Sequence, residues 1–317
     1  MKRVNDPVPG DPLALHGDKL FLTDGGLETV LIFNEGIDLP HFAAFDLLKD
    51  EKGQKTLRDY YADYLELARA SESGFVLETP TWRASSDWGR RLGYDDNQLR
   101  RFNTDAVALL QAIRDEWQTQ SSPVIISGNL GPRGDGYVAN EMMQSREAQN
   151  YHAPQVEALA SAGADVITAI TLNYVDEAIG IVLAAKAVDR PAVIGFTTET
   201  DGRLPDGTTL AQAIQSVDSE TDGGPLYYMI NCAHVDHFAH ALDDDAAWTT
   251  RIRGIRANAS RLSHAELDEA EELDDGDPAE FGELYADLHR RFPQMSVFGG
   301  CCGTDHRHVD SVRRAIL

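Results

Sequence analysis

The sequence predicts a single α/β domain folded as a (β/α)8 TIM barrel. Short apolar runs recur along the 317 residues, each bounded by glycine, proline or polar residues, and stretches with helical spacing separate them. Eight strands alternating with helices over about 300 residues are typical of this barrel. The alternative is a doubly wound sheet, but no Gly-x-Gly-x-x-Gly follows the first strand, and the turn at Asp24-Gly25-Gly26 is too short to supply one.

Each element follows from its local pattern. Strands are predicted at residues 20–24, 75–79, 123–128, 165–171, 192–198, 226–231, 252–257 and 295–299. Helices are predicted at residues 56–73, 98–118, 150–162, 175–187, 281–291 and 306–316. In the first helix, Tyr60, Tyr64 and Ala68 fall on one stripe, as expected for a helix that packs on a sheet. No linker divides residues 17–317, and residues 1–16, polar and rich in proline, are expected to form a loose arm.

Charge and hydropathy exclude several classes of partner. The chain has 52 acidic and 28 basic residues, and the net charge of −24 would repel nucleic-acid phosphates. Part of the excess lies in residues 266–280, interpreted as a solvated helix followed by a loop. The sequence has no run of 18 apolar residues for a membrane span and no signal peptide at its start. We therefore expect a cytoplasmic protein with reduced thiols, and neither nucleic acid nor membrane as a partner.

The three cysteines of the chain all follow predicted strands. Cys232 directly follows the sixth strand, and Cys301 and Cys302 follow the eighth strand after two glycines. Since the carboxyl ends of barrel strands face one common site, these thiols can converge although they are distant in sequence. Three thiolates with an open fourth position are the arrangement of a catalytic Zn²⁺ site. The alternatives are a buried structural cysteine at 232 and a redox-active pair at 301 and 302.

Zinc held by three thiolates favours one kind of chemistry. Such a metal is electron-rich and a modest Lewis acid, which suits the binding of a fourth, exogenous sulfur. The bound thiol loses its proton near neutral pH and remains nucleophilic as a thiolate. The predicted reaction is therefore attack of a thiolate on an activated alkyl group.

Several motifs also carry a family resemblance. They lie at residues 24–26, 128–132, 151–165, 196–204, 231–232 and 299–304. In this order, from about residue 18 to the C-terminus, they resemble the zinc- and homocysteine-binding domain of the homocysteine S-methyltransferases. The resemblance implies a (β/α)8 barrel that moves a methyl group from a small donor to homocysteine, giving methionine. It also implies that Cys232, Cys301 and Cys302 are the zinc ligands.

The resemblance extends to residues around the metal site. Asp24, Gly25 and Gly26 match the first-strand loop that lines the substrate site in the family. The position of Asp24 at the end of a strand is compatible with pairing to a substrate ammonium, or with capping a helix or turn. Thr171 is kept from the family pattern and is expected to bind substrate. Asn231 is expected to contribute to the substrate site and to order its loop through side-chain hydrogen bonds.

Three positions depart from, or add to, the family pattern. Ile170 stands where the family commonly has a glutamate that binds the amino group of homocysteine, and an isoleucine cannot accept a hydrogen bond. Met229 replaces a usual glycine. Glu78 ends the second strand near the mouth of the barrel, and we hypothesise that it takes over the ammonium contact in a catalytic role with Asp24. The alternative is that the acceptor is a different thiol.

Two further groups of side chains lie near the predicted strand ends. The loop after the second strand carries aromatic and basic residues: Trp82, Arg83, Trp88, Arg90, Arg91 and Tyr94. It could be a lid or a wall for a cationic donor, or it could pack as an ordinary aromatic loop. His234 is the histidine expected to support the zinc site from behind its ligands.

The donor is expected to be a small molecule. No segment suggests a cobalamin or folate module, and the chain ends directly after the eighth unit, which favours S-methylmethionine, S-adenosylmethionine or a betaine-like donor. A barrel that binds zinc or thiols without catalysis, as a sensor, is a second hypothesis. A lyase or aldolase is a weaker third one, because no lysine stands at a strand end to form a Schiff base.

Overall fold

A computed structural model describes residues 11–17, 19–140, 142–270 and 272–317. Within this part of the chain, eight parallel strands close into one barrel in sequence order, and the last strand pairs with the first. The strands are β1 (Phe21–Leu22), β2 (Gly74–Glu78), β3 (Val124–Leu130), β4 (Val166–Leu172), β5 (Ala192–Phe196), β6 (Pro225–Asn231), β7 (Ile252–Ala257) and β8 (Val297–Gly300). The predicted (β/α)8 barrel is confirmed, and every predicted strand has a counterpart.

Helices surround the barrel and connect its strands. The α-helices are α1 (Leu27–Thr29), α2 (Glu51–Ala70), α3 (Ser86–Arg91), α4 (Asp96–Trp117), α5 (Ser145–Ala162), α6 (Val175–Ala187), α7 (Leu210–Thr221), α8 (Val235–Phe238), α9 (His264–Glu269), α10 (Pro278–Arg291) and α11 (His306–Ile316). Short 3-10 turns lie at Pro12–His16, Pro40–Phe42, Ala44–Lys49, Ala239–Ala241 and Ala247–Arg251, and a π turn lies at Val30–Asn34. None of the helices among the described residues is long and apolar enough to cross a membrane.

The helix boundaries differ from the prediction where side chains cap the helix. Helix α2 begins five residues before the predicted start, because the Asp50 carboxylate accepts a hydrogen bond from the Gly53 backbone N–H at 2.8 Å. Helix α7 was not predicted, although Thr209 and Gln212 form a capping box at its start. The link between β6 and β7 contains only short helical turns.

Two apolar layers follow from the alternation of side chains along the strands. In β2, Val76 belongs to a cluster inside the barrel, whereas Leu77 belongs to the larger cluster between strands and helices. Glu78 is two residues after Val76 and therefore shares its inward direction. Met229, at the position of the usual glycine, is buried in the inner cluster. Its side chain fits there because it lies against glycines of β5 and β7.

The N-terminal arm is described only in part. Residues 1–10 lie outside the described residues, so the prediction of a loose arm stays a prediction for them. Pro12–His16 form a 3-10 turn, and Leu15 is buried in the cluster inside the barrel. This part of the arm is therefore held against the barrel.

Candidate active site

The three cysteines meet at the carboxyl end of the barrel. Cys232 follows β6 directly, and Cys301 and Cys302 follow β8 directly. The three sulfur atoms all lie within 4.8 Å of one another, and the Sγ atoms of Cys232 and Cys302 are 3.5 Å apart. All three cysteines are free thiols. The predicted convergence is confirmed, and the triad has the spacing and the soft sulfur ligands to hold a metal ion.

The backbone around the thiols is fixed by neighbouring strands. The Cys232 N–H donates to the carbonyl oxygen of Arg256 at 3.0 Å, and the Cys301 N–H donates to that of Ala257 at 2.9 Å. Both acceptors belong to β7, which lies between β6 and β8 in the barrel. Cys232 has a φ of +56°, a left-handed conformation in which a non-glycine residue is uncommon. Strand β7 thus clamps the two cysteine segments toward each other.

The thiols do not share their protons equally. Hydrogen bonds from the thiols of Cys232 and Cys301 hold the pKa of the Cys302 thiol well below its ordinary value. The pKa of Cys232 is raised, first by its hydrogen bond with Cys301. One thiolate is therefore already favoured in the triad, and thiolates are the form that binds metal.

Tyr137 is a site residue that the sequence did not reveal. Its hydroxyl lies 3.3 Å from the Cys232 sulfur and 3.5 Å from the Cys302 sulfur. Its ring stacks on His264 with a centroid distance of 4.0 Å and an interplanar angle of 10°. Burial raises the pKa of Tyr137 well above its usual value, so the hydroxyl is a neutral donor to the thiols. Its irregular loop after β3 has no periodicity from which this position could be predicted.

The histidine that supports the triad is His264 rather than the predicted His234. The Nε2 atom of His264 contacts the carbonyl oxygen of Cys232 at 2.8 Å, and its Nδ1 atom contacts a Glu199 carboxylate oxygen at 3.1 Å. His234 instead begins helix α8, where its Nδ1 atom accepts a hydrogen bond from the Asp236 backbone N–H at 3.2 Å. Burial lowers the pKa of His234 to about 4, so it stays neutral.

Asn231 holds Thr171 in position. The Asn231 side-chain oxygen accepts from the Thr171 N–H, its amide donates to the Thr171 hydroxyl, and both distances are 2.9 Å. Thr171 has a φ of +62°, which is unfavourable for a β-branched residue. The expected ordering of a loop by Asn231 is thus seen in these two hydrogen bonds. Thr171 lines the central cavity, whereas Asn231 lies behind it.

A buried arginine joins the two predicted carboxylates. Arg256 of β7 donates from Nη2 to Asp24 at 2.8 Å and from Nη1 to a Glu78 oxygen. It also donates to the carbonyl oxygens of Gly25 and Gly300, at 3.1 and 2.9 Å. Arg256, Asp24 and Glu78 are each about 4% exposed, and the second oxygen of Glu78 has no hydrogen-bond partner among the described residues. Two largely buried carboxylates thus share one guanidinium.

This cluster favours protonation of its carboxylates. Burial raises the pKa of Glu78 to about 7, although Arg256 acts in the opposite direction. Burial also raises the pKa of Asp24. Nearby Glu28, in the first turn of α1, has its pKa raised to about 7, again first by burial. A cationic ligand would restore the charged forms, because an opposite charge nearby favours ionisation.

Two glycines let the first loop approach the cysteine loop. A Cβ atom on Gly25 would lie 2.7 Å from the carbonyl oxygen of Thr304, and a Cβ on Gly26 would lie 2.5 Å from that of Cys301. Both contacts are to backbone that cannot rotate away. The predicted loop at Asp24 therefore packs directly on the loop that carries two of the thiols.

A single cavity connects these groups. About 350 Å³ is open to water-sized molecules, and the predicted residues that line it are Asp24, Gly25, Gly26, Glu78, Thr171, Cys232, Cys301 and Cys302. Ile170 also lines the wall, so no carboxylate projects from the position where the family commonly has glutamate. The acidic segment 266–280, interpreted as a solvated helix followed by a loop, contributes as well, through Leu267, Asp268 and Asp274. That segment covers part of the site.

In the aromatic loop after β2, two tryptophan rings enclose the side chain of Arg83. The guanidinium carbon of Arg83 lies 3.9 Å from the Trp82 ring centroid and 3.6 Å from that of Trp88. Trp82 and Arg83 line the cavity. Tyr94 instead packs on Phe102 and donates to Asp46. The loop is therefore an aromatic wall of the site at its start and ordinary packing at its end.

The chain is similar in sequence to known proteins of one family. The profile of the homocysteine S-methyltransferase family matches residues 21–316. The homocysteine S-methyltransferase YbgG of Bacillus subtilis is 24% identical over 249 residues, covering 74% of this chain and 76% of that protein. A homocysteine S-methyltransferase of Escherichia coli is 29% identical over 170 residues, covering 50% of this chain and 53% of that protein.

Solved structures show the same fold. The oxidized form of the homocysteine methyltransferase MmuM from Escherichia coli superposes with a TM-score of 0.73 at 22% identity, covering 96% of this chain and 99% of that one. Its metallated form gives a TM-score of 0.72 at 20% identity, covering 95% and 98% of the two chains.

Proposed function

The chain belongs to the homocysteine S-methyltransferase family, and from this premise we propose that it is a zinc-dependent enzyme that methylates homocysteine to methionine. The observation that carries the proposal is the triad of free thiols at the wall of one cavity. Three sulfur ligands suit zinc, and they leave a fourth position for a substrate. We also propose that the enzyme works in the cytoplasm, where its thiols stay reduced.

The metal and the protein side chains have separate tasks. Zinc bound by Cys232, Cys301 and Cys302 would lower the pKa of an incoming thiol, so that it is present as a thiolate near neutral pH. The Tyr137 hydroxyl, within hydrogen-bond distance of two of the sulfurs, disperses negative charge on the triad. His264 fixes the Cys232 carbonyl and thereby the direction of its side chain.

The ammonium of homocysteine is proposed to bind at the buried carboxylates. When both are ionised, Asp24 and Glu78 carry two negative charges against the one positive charge of Arg256. The unpartnered oxygen of Glu78 supplies an acceptor that Ile170 cannot supply. An ammonium bound there would satisfy this oxygen and balance the charge of the cluster.

The donor is proposed to be a small sulfonium or quaternary ammonium compound, such as S-methylmethionine, S-adenosylmethionine or a betaine. The cavity has Phe33, Phe42, Trp82 and Tyr137 in its lining, and aromatic faces attract such cations. In the reaction, the acceptor sulfur forms a bond to the methyl carbon. The bond from that carbon to the donor sulfur or nitrogen breaks, and the donor leaves as a neutral thioether or amine.

Metal analysis tests the triad. We expect one zinc per chain in the wild type and its loss in Cys232→Ala and in Cys301→Ala, with methyl transfer to homocysteine lost in parallel. His234→Asn, which changes a side chain that caps helix α8, is the control and should retain zinc and activity. A full zinc content in either cysteine variant would overturn the three-thiolate site. A zinc-loaded wild type without methyl transfer would instead support a binding or sensing role.

A comparison of acceptors tests the ammonium site. Homocysteine should be methylated with a lower KM than a simple thiol that lacks the amino group, and Glu78→Gln should remove most of this preference. If the wild type uses both thiols equally, Glu78 does not bind an ammonium, and the acceptor is a different thiol.

A further inference from the structure

Arg83 is a buried cation in the wall of the cavity. It follows β2, is 7% exposed, and lines the same cavity as the three cysteines. The rings of Trp82 and Trp88 enclose its guanidinium. Its Nη1 atom donates to the carbonyl oxygen of Gly134 at 3.1 Å, which ties it to the loop that carries Tyr137. The position of this guanidinium is therefore fixed in advance of any ligand.

The charge of Arg83 has no anionic partner among the described residues. The charges of Asp135 and Glu28 raise the pKa of Arg83, but neither carboxylate forms an ion pair with it. Asp135 accepts instead from the backbone N–H groups of Tyr137 and Val138, at 2.7 and 3.1 Å. The Nε atom of Arg83 is buried without a hydrogen-bond partner. Burial lowers the pKa of Arg83 to about 10, as expected for a cation that lacks compensation.

An unpaired buried charge is costly, so a buried cation without an ion pair needs an explanation, and a bound anion is one. Two aromatic faces compensate the guanidinium only in part. Of its in-plane N–H donors, Nη1 bonds the Gly134 carbonyl oxygen, whereas Nε has no partner among the described residues. A carboxylate matches those donors in charge and in planar geometry. The cavity thus has soft sulfur ligands in one part of its wall and an anion-binding group in another.

We propose that Arg83 binds the carboxylate of a substrate and makes this group a requirement for productive binding. The inference rests on the proposed function, because a substrate with its sulfur toward the thiol triad would place its other end in the rest of the cavity. The carboxylate can belong to the acceptor or to the donor, since both homocysteine and S-methylmethionine carry one. Arg83 is then a specificity residue and takes no part in the methyl transfer itself.

Tryptophan fluorescence can detect this binding without turnover. Trp82 and Trp88 contact Arg83, and a background with Trp117→Phe and Trp248→Phe removes the other two indoles of the chain. The zinc-loaded protein would be titrated with homocysteine and with 3-mercaptopropylamine, its counterpart without the carboxylate. A second pair, S-methylmethionine and (3-aminopropyl)dimethylsulfonium, tests the donor.

We expect the carboxylate-bearing member of at least one pair to bind roughly ten- to a hundredfold more tightly, the range of a charged hydrogen-bonded contact. Arg83→Gln should abolish the advantage, and Arg83→Lys should keep part of it. Arg91→Gln is the matched control, because Arg91 stacks on the same Trp88 ring at 4.2 Å from the exposed side. It should leave the advantage intact.

Which pair responds identifies the source of the carboxylate. The proposal is overturned if neither pair differs in affinity, or if folded Arg83→Gln retains the wild-type advantage; circular dichroism and thermal unfolding establish that the variant is folded. If Arg83→Gln does not fold, undiminished discrimination in Arg83→Lys overturns the proposal. Carboxylate discrimination without any methyl transfer would refute the proposed function and leave this inference standing.

Discussion

Replacing Arg256 with methionine should be among the most damaging single changes outside the cysteines. Arg256 compensates two carboxylates that are each 4% exposed, and it also bonds two backbone carbonyls in the loops after β1 and at the end of β8. Removing one partner of a buried ion pair costs about 3–5 kcal/mol, because the other charge stays buried alone. We expect Arg256→Met to lose about this much free energy of unfolding at pH 7.

The loss should also depend on pH. Burial already raises the pKa of Glu78 to about 7, and without Arg256 this pKa should rise further. Above pH 7 the variant's folded state would then keep a proton that the unfolded state and the folded wild type have released. A folded-state pKa raised above the unfolded value means that stability falls as pH rises. Above pH 7, the difference in free energy of unfolding between wild type and variant should therefore grow by up to about 1.4 kcal/mol per pH unit.

Urea-induced unfolding at pH 7 and at pH 8.5 measures both effects. Combining Arg256→Met with Asp24→Asn and Glu78→Gln also removes the two carboxylates that lack a counter-charge. The triple variant should recover most of the stability, and its difference from wild type should no longer grow between pH 7 and pH 8.5. Arg133→Met is the control, since its ion pair with Asp87 is partly exposed and should be worth less than about 1 kcal/mol. A loss of less than about 1 kcal/mol in the free energy of unfolding of Arg256→Met, or a loss that is the same at pH 7 and pH 8.5, would refute the reasoning.

Three further changes are expected to have smaller and distinct effects. His234→Asn keeps a helix cap but cannot titrate. Because burial lowers the His234 pKa from 6.5 to about 4, wild-type stability should fall by up to about 3 kcal/mol as pH drops through this range. The unfolding temperature of the variant should therefore depend less on pH over this range. An unchanged pH dependence would contradict this. Gly26→Ala places a Cβ atom 2.5 Å from the Cys301 carbonyl oxygen, and it should cost about 1–3 kcal/mol of stability and weaken zinc retention. A variant with the unfolding free energy and the metal content of wild type would argue against a tight contact between the two loops. His264→Ala should lower zinc affinity about 10- to 100-fold in a chelator competition, because it removes the shorter of two hydrogen bonds to the Cys232 carbonyl oxygen, and His264→Gln should recover part of the loss. Equal chelator sensitivity of all three proteins would exclude this support.

Most of the fold was accessible from local patterns. Strands of a parallel barrel are buried along their whole length, so they read as short apolar runs, and all eight were predicted. The first residue of a helix was harder to predict where a polar capping residue such as Asp50 lies several residues before the apolar positions of the helix. Helix α7 was missed despite its capping box, because residues 199–209 before it form an irregular turn-rich segment.

The site divides in the same way. Cys232, Cys301 and Cys302 were predictable, because each follows a strand and strand ends converge in this fold. Tyr137 lies in an irregular connection and His264 is the first residue of the short helix α9, and nothing in the sequence shows that either side chain points to the thiols. Arg256 did leave a signal, since an arginine within a buried strand needs a compensating charge.

By itself, the sequence determined the barrel and the meeting point of its thiols, because both depend on the order of the elements along the chain. Only the tertiary structure decided how the charges pair. It assigned Arg256 to the two carboxylates and left Arg83 between two indole rings without an anion among the described residues. Pairing depends on distances across the cavity between residues that are far apart in sequence, and such distances exist only once the barrel has closed.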